Sequence, residues 1–127
     1  MSYPNADEVR AKIVSIVTAL PEATATLTIG VHLKLEVKGK PMGWFMEDHH
    51  GDGRLALNCK ALPGMQLALV EANPEVYHVP KYVGNKGWAG VWLDVESLDW
   101  DEVANLIRDA YILAAPKALL KQLAFDR

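Results

Sequence analysis

The chain has 127 residues, a length that suits one domain with its own hydrophobic core, and we expect a single domain over residues 1–127. Hydrophobic residues make up 50% and charged residues 23% of it, which excludes a disordered chain, and no apolar run is long enough for a membrane span. The formal net charge of -3 disfavours strong nonspecific attraction to a polyanion, so any affinity for DNA has to come from a local basic face.

The N-terminal segment predicts a helix in a protein that is not exported. The sequence begins MSYPNADEVR, without a basic stretch followed by an apolar core, so we expect a cytoplasmic protein with no membrane partner. Asn5 and Glu8 have the spacing of a capping box, and Pro21 ends the helical pattern. The apolar residues of this segment share one helical stripe: Val9, Ile13, Ile16, Val17 and Leu20.

From Thr24 onward the apolar residues alternate with polar ones, which predicts half-buried strands. Leu27 and Ile29 face the core in the first strand, and Gly30 is a bend or bulge before the second. The inward-facing residues of the second strand are Val31, Leu33, Leu35 and Val37. Turns at GKP (39–41) and DHHGDG (48–53) lead into the segments MGWFME and RLALNCK, which predicts an antiparallel meander.

The second half of the chain predicts three more helices and two strands. Pro63 is placed as the first residue of a second helix, PGMQLALVEAN, which Asn73 closes. The segments VYHVP and WAGVWLD are typical of strands. Asp99 and Glu102 form a second capping box before a helix that Pro116 ends, and KALLKQLAF is a short closing helix. The apolar stripe of the long helix consists of Val103, Leu106, Ile107, Ala110 and Ala114.

This order of elements predicts an α+β, two-layer fold with the helices packed on one face of an antiparallel β-sheet. The glycine-rich stretch KYVGNKGWAGVWLD (81–94) has to be interpreted within this order of helices and strands. It matches neither nucleotide-binding glycine motif, and a strand follows it where a phosphate cradle needs a helix N-terminus. We therefore interpret residues 84–87 as a turn that joins two strands.

No catalytic constellation is evident in the sequence, so we expect a noncatalytic binding module without a cofactor. Cys59 alternates in phase with Leu55 and Leu57, which places the only thiol on the buried side of a strand. The adjacent His49 and His50 cannot share a helix face as zinc ligands do, and DHHGDG is typical of a solvated turn. A small-molecule- or metal-binding protein that uses the 81–88 loop and these histidines is the alternative.

Several spaced segments resemble the MmcQ/YjbR family of small bacterial proteins. They are VKGKPMGWF, LNCKALP, NPEVYHVP, NKGWAGVWLD and LIRDAYILAAPK, and together they span nearly the whole chain. The family pattern of a tyrosine or histidine, then asparagine-lysine, then tryptophan resembles Tyr77, His78, Asn85, Lys86 and Trp88. The resemblance implies a two-layer fold similar to frataxin and to secretion chaperones. It also implies DNA binding, which family members are often named for on the basis of a proposed double-wing arrangement.

The outer face of the predicted sheet is the candidate site for that activity. If Val91 and Leu93 point inward, Trp88 and Trp92 point outward, on a face that also carries cations. Exposed aromatic rings among cations suit base stacking and phosphate pairing. The alternative is that the C-terminal segment or lysine stems cover both tryptophans. The residues predicted to give weak, salt-dependent DNA binding are Lys34, Lys38, Lys40, Lys60, Lys81, Lys86, Trp88 and Trp92.

Overall fold

A computed structural model describes residues 6–28, 32–48 and 53–125. The helices of this part of the chain are α1 (Ala6–Thr18), α2 (Met65–Ala72), α3 (Trp100–Ala114) and α4 (Lys117–Phe125), with a short 3-10 helix at Gly84–Lys86. Its strands are β1 (Ala23–Leu27), β2 (Leu33–Val37), β3 (Lys40–Glu47), β4 (Leu55–Cys59), β5 (Tyr77–His78) and β6 (Ala89–Trp92).

The six strands form one sheet in the order β1-β2-β3-β4-β6-β5. Every neighbouring pair is antiparallel. Strands β1 to β4 form the predicted meander, after which the chain passes through α2 to the edge strand β5 and returns as β6 between β5 and β4. Since helices α1 and α3 pack against this sheet, the predicted α+β fold is confirmed.

The core lies between the sheet and these helices. Phe45, Leu57, Val91 and Tyr77 are paired in one row across four strands, and none is more than 4% exposed. The predicted stripe of α3 is buried against them, and Leu119 and Leu123 of α4 join the same cluster. Burial of one large side chain of this kind stabilises a fold by about 1.5–3 kcal/mol, so this row anchors the sheet to the helical layer.

Three local predictions differ from the structure. Helix α2 begins at Met65 rather than Pro63, because Gly64 has a φ of 84°, in the left-handed region. The β2–β3 turn is at Lys38 and Gly39, and Pro41 lies within β3 opposite Glu36, beside a bulge that tolerates its missing N–H. Leu27 is 61% exposed instead of buried, because it ends an edge strand that only β2 flanks.

The helix-capping predictions have mixed outcomes. Asp99 caps α3 by accepting a hydrogen bond from the Asp101 N–H at 2.9 Å, as predicted. Glu102 instead accepts a hydrogen bond from the Tyr77 hydroxyl, so its carboxylate connects α3 to β5. Asn73 closes α2 through its N–H, which donates to the Leu69 carbonyl at 2.9 Å. The calls on Asn5, Ile29, Gly30 and Val31 lie outside the described residues.

Candidate functional site

The sheet face opposite the helical layer carries a row of paired residues across all six strands. Strand pairing aligns Thr26, Lys34, Trp44, Asn58, Gly90 and His78 in that order. A neighbouring row contains Met46, Ala56 and Trp92. We call this surface the outer face.

A loop covers part of the outer face and borders an open pocket of about 340 Å³. This volume is at the small end of the range of about 300–1,000 Å³ that is usual for ligand pockets. Trp44, Met46 and Asn58 line the pocket from the sheet, and Thr28 and His32 line it from the β1–β2 connection. Lys81, Tyr82 and Val83 line it from the covering loop. The pocket thus combines a mostly apolar wall with a few polar groups, which is typical of small-molecule sites.

Hydrogen bonds hold the polar wall of this pocket. The Glu47 N–H donates to Nδ1 of His32 at 3.2 Å, which orients the imidazole against β3. The Thr28 hydroxyl donates to the His32 carbonyl at 3.1 Å. The Oδ1 of Asn58 is buried and has no hydrogen-bond partner among the described residues. This oxygen has almost no accessible surface, so a molecule in the pocket cannot reach it.

The covering loop owes its shape to two glycines and one glutamine. Gly87 has a φ of 83°, and Gly84 packs so closely on Val79 that a Cβ would lie 2.6 Å from its side chain. The side-chain amide of Gln66 donates to the carbonyls of Gly84 and Trp88 at 2.8 and 2.7 Å, which ties the loop to α2. Residues 84–87 form a tight 3-10 turn, as predicted.

Comparison with known proteins shows the family to which this chain belongs. The YjbR family model matches residues 18–113, which is more than half of the chain. The chain belongs to the YjbR family. A crystal structure of the Deinococcus radiodurans protein DR2400, of the domain family DUF419, superposes with a TM-score of 0.69 and 24% identity. The match covers 88% of this chain and 85% of that one, and it shows a shared fold. No curated protein matches the chain.

In this YjbR-family chain, neither predicted tryptophan presents a free ring face. Trp88 is 7% exposed, so it does not present its ring to solvent as predicted. Trp92 stacks on His78 with ring centroids 3.9 Å apart, and the Arg54 guanidinium lies 4.0 Å from the same indole centroid. The imidazole and the guanidinium must lie on opposite faces of the indole because both cannot occupy one face. A nucleic-acid base therefore cannot stack on Trp92 without displacing one of them.

The six predicted lysines fall into two groups. Lys34 lies 3.2 Å from Glu36, with its Nζ 5.8 Å from the Trp44 ring centroid, and Lys38 lies 3.2 Å from Glu22. Within residues 6–28, 32–48 and 53–125, the other four make no ion pair: Lys40, Lys60, Lys81 and Lys86. The structure brings Lys34 and Lys81 to the outer face around Trp44, whereas Lys38 lies in the β2–β3 turn and Lys40 begins β3.

The other candidate groups from the sequence are the Cys59 thiol and the adjacent histidines His49 and His50. Burial raises the pKa of the Cys59 thiol to about 12, with a smaller contribution from the Asp109 charge, so the thiol is protonated at neutral pH. His49 and His50 lie outside the described residues, and no metal-binding cluster of three or more His, Cys, Asp or Glu side chains occurs among the rest. No described helix is both long and apolar enough to cross a membrane.

The sequence singled out the 81–88 loop, but not the pocket residues outside it, which are on three segments: the β1–β2 connection, β3 and β4. Trp44 and Asn58 alternate with buried neighbours, so an outward orientation could be predicted for each of them. His32 and Tyr82 carry no pattern that would have grouped them with those strands. Only the pairing of β3 with β4 and the path of the covering loop bring these side chains together.

Proposed function

We propose that this chain is a noncatalytic binding domain whose ligand site is the pocket on the outer face. The observation that carries the proposal is the pocket of about 340 Å³ itself, whose exposed wall is mostly apolar and includes Trp44 and Met46, with Lys81 and His32 among its polar groups. Small-molecule sites commonly combine an apolar wall with a few polar groups that orient the ligand. A bound molecule would shield Trp44 and Met46 from water.

The chemistry of the described residues supports binding rather than catalysis. The only thiol is buried, with a pKa far above neutral pH. Burial, together with the hydrogen bond to Glu102, likewise raises the pKa of the Tyr77 hydroxyl far above its usual value. Neither group supplies an anionic nucleophile near pH 7.

DNA binding is the second candidate, and the lysines without ion pairs support it. Lys40, Lys60, Lys81 and Lys86 have no carboxylate partner in the described part of the chain, so their charges are available to phosphates. The buried Trp88 and the doubly stacked Trp92 argue against a stacking platform. DNA binding would then depend on phosphate contacts and would not discriminate between sequences.

The pocket can be tested with N-phenyl-1-naphthylamine, a neutral probe whose fluorescence rises in apolar surroundings. We expect saturable binding to the unmodified chain and at least a tenfold loss of affinity in Met46→Trp, because the larger side chain fills a half-buried lining position. The control is Leu67→Trp, at an α2 position that is 65% exposed and does not line the pocket.

Circular dichroism and an unfolding curve establish that both tryptophan variants fold. If the probe does not saturate, or if both variants bind it as the unmodified chain does, the pocket is not a ligand site.

A further inference from the structure

We infer that two copies of this chain pair through the outer edge of strand β1, so that their sheets join into one antiparallel sheet across a two-fold axis. Strand β1 lies at the end of the sheet, where only β2 flanks it among the described strands. This interface is separate from the pocket on the outer face.

The pairing of β1 with β2 determines which backbone groups of β1 point away from the sheet. The Thr28 N–H donates to the His32 carbonyl at 2.9 Å, and these two residues continue the register that pairs Thr26 with Lys34. Hydrogen-bonded and non-hydrogen-bonded pairs alternate along an antiparallel ladder, so Thr24 and Thr26 direct their backbone groups toward β2. The residues between and beside them direct their N–H and C=O groups toward the outer edge.

Three residues carry these outward groups: Ala23, Ala25 and Leu27. The Ala23 N–H already donates to the Leu20 carbonyl at 3.2 Å. The Ala23 carbonyl and both backbone groups of Ala25 and Leu27 have no partner strand in the part of the chain that the structure describes. Ala25 is half-buried and Leu27 is 61% exposed, so a further strand can reach this edge.

Strand β1 lacks the features by which edge strands usually exclude a further strand. Those features include charged side chains, proline and very short length. β1 has the sequence ATATL, five residues without a charge or a proline. Strand β5, at the opposite edge, has only two residues, and Pro80 follows it two positions later. The two edges of the sheet therefore differ, and β1 is the one that favours pairing.

A two-fold axis beside Ala25 matches the outward groups of β1 to those of a second copy. With the two Ala25 residues opposite each other, each donates its N–H to the carbonyl of the other. Leu27 of each copy then lies opposite Ala23 of the other, and its N–H donates to the Ala23 carbonyl, the group of Ala23 that is not already bonded. The same pairing covers part of the exposed Leu27 side chain. The edge of β1 is thus complementary to itself.

The charges beside β1 are also complementary across this axis. On the outer face, Thr24 of one copy lies opposite Thr26 of the other, a favourable cross-strand pair. Within each copy, Lys34 pairs with Thr26 and Glu36 pairs with Thr24. Each row across the seam therefore runs from a lysine of one copy to a glutamate of the other, and like charges do not face each other.

Disulfide cross-linking tests this register. Thr24 and Thr26 of opposite copies form a non-hydrogen-bonded pair, with Cα atoms about 4.5 Å apart, which a disulfide can bridge. Identical positions are diagonal neighbours about 7–8 Å apart, which is too far. Under mild oxidation, a mixture of Thr24→Cys and Thr26→Cys should form covalent dimers, whereas either variant alone should not.

The control mixture combines Thr26→Cys with Leu67→Cys, at an α2 position that is 65% exposed, and it should not cross-link. The native Cys59 is buried, so the introduced thiols are the ones that react. Equal cross-linking of the control mixture, or of either threonine variant alone, would show random collision and overturn the inference.

Sedimentation equilibrium tests the interface without a cross-link. We expect a reversible monomer–dimer equilibrium for the unmodified chain. Ala25→Pro should raise the dimer dissociation constant at least tenfold, because it removes the donor of both central hydrogen bonds and leaves the ladder with β2 intact. Ala25→Ser keeps the N–H and is the matched control, which should dimerise as the unmodified chain does.

Circular dichroism establishes whether the proline variant folds, and the cross-linking result does not depend on that variant. A chain that is monomeric at every concentration and does not cross-link in the Thr24→Cys and Thr26→Cys mixture overturns the inference. A dimer that Ala25→Pro leaves unchanged would use another surface, and that result overturns it as well.

Discussion

Asp94 fixes the guanidinium of Arg54 against the indole of Trp92. The carboxylate accepts from Nε of Arg54 at 2.9 Å, from Nη2 at 2.8 Å and from the Leu55 N–H at 3.0 Å. Burial by itself would raise the pKa of Asp94, but the hydrogen bonds from Arg54 and Leu55 and the charge of Arg54 outweigh it and hold that pKa below its usual value. Arg54 is therefore committed to the fold and is a poor candidate for a phosphate contact.

The Asp94 interactions predict a pH-dependent loss of stability. Asp94→Asn should lower the free energy of unfolding at pH 7 by about 1–3 kcal/mol, because hydrogen bonds to a charged group are lost. Since the folded-state pKa is depressed, the stabilisation is present above the unfolded-state pKa and disappears as pH falls through the folded-state value. Urea unfolding should show the two proteins converging below about pH 4.

The control for Asp94→Asn is Glu71→Gln, an exposed carboxylate on α2. It should change the free energy of unfolding by less than about 0.5 kcal/mol at either pH. A difference between Asp94→Asn and the unmodified chain that stays constant from pH 7 to pH 3 would contradict the role assigned to the carboxylate.

Two of the predicted DNA-binding lysines, Lys38 and Lys40, lie in the β2–β3 hairpin. Lys38 and Gly39 have φ values of 52° and 78°, and positive φ at both central positions is the conformation of a type I′ turn. Such turns match the twist of the strands they join, but they strain any residue with a Cβ. Lys38 thus occupies a position that favours asparagine or glycine, while Lys40 begins the following strand.

Lys38→Asn should stabilise the protein because Asn-Gly is the preferred type I′ sequence. The expected gain in the free energy of unfolding is about 0.5–1 kcal/mol, since relief of left-handed strain exceeds the loss of an exposed ion pair with Glu22. Lys40→Asn is the matched control, because asparagine is disfavoured in a strand, and it should be neutral or destabilising. Equal effects of the two substitutions in thermal unfolding would contradict this account of the turn.

Across the whole molecule, charge limits how DNA could be bound. The net charge of -3 opposes a polyanion, and the cations at Lys34, Lys38 and Arg54 already have carboxylate partners. Affinity would therefore depend on the few lysines that lack them, and it would be weak at physiological salt. Because Trp92 has both faces covered, aromatic stacking would contribute little.

A salt titration with labelled single- and double-stranded DNA tests this candidate. If DNA binds, Lys81→Gln and Lys86→Gln should each reduce the slope of log affinity against log salt by about one unit. Lys12→Gln should leave the slope unchanged, because Lys12 lies on α1, over the Trp100 ring. Trp92→Ala should not selectively weaken single-stranded binding, and the absence of any binding at low salt would eliminate DNA as the ligand.

Local patterns in the sequence determined the helices and strands, and they determined on which face of the sheet most strand residues lie. The helical stripe of α3, the cap at Asp99 and the alternation around Cys59 depend on neighbours within a few residues, so they could be predicted without the fold. The resemblance to a known family predicted, in addition, how these helices and strands are arranged, and the match to the YjbR family model confirms that resemblance.

Only the tertiary structure decided what covers each outward-facing residue. Alternation places Trp92 on the outer face, but its neighbours His78 and Arg54 come from strand β5 and from just before β4. The pocket likewise joins Trp44 to Tyr82, residues far apart in the chain. A two-residue alternation specifies the face of the sheet on which a side chain lies. Whether that side chain is exposed or binds a ligand depends on long-range strand pairing and on the path of a loop, and no local pattern encodes these.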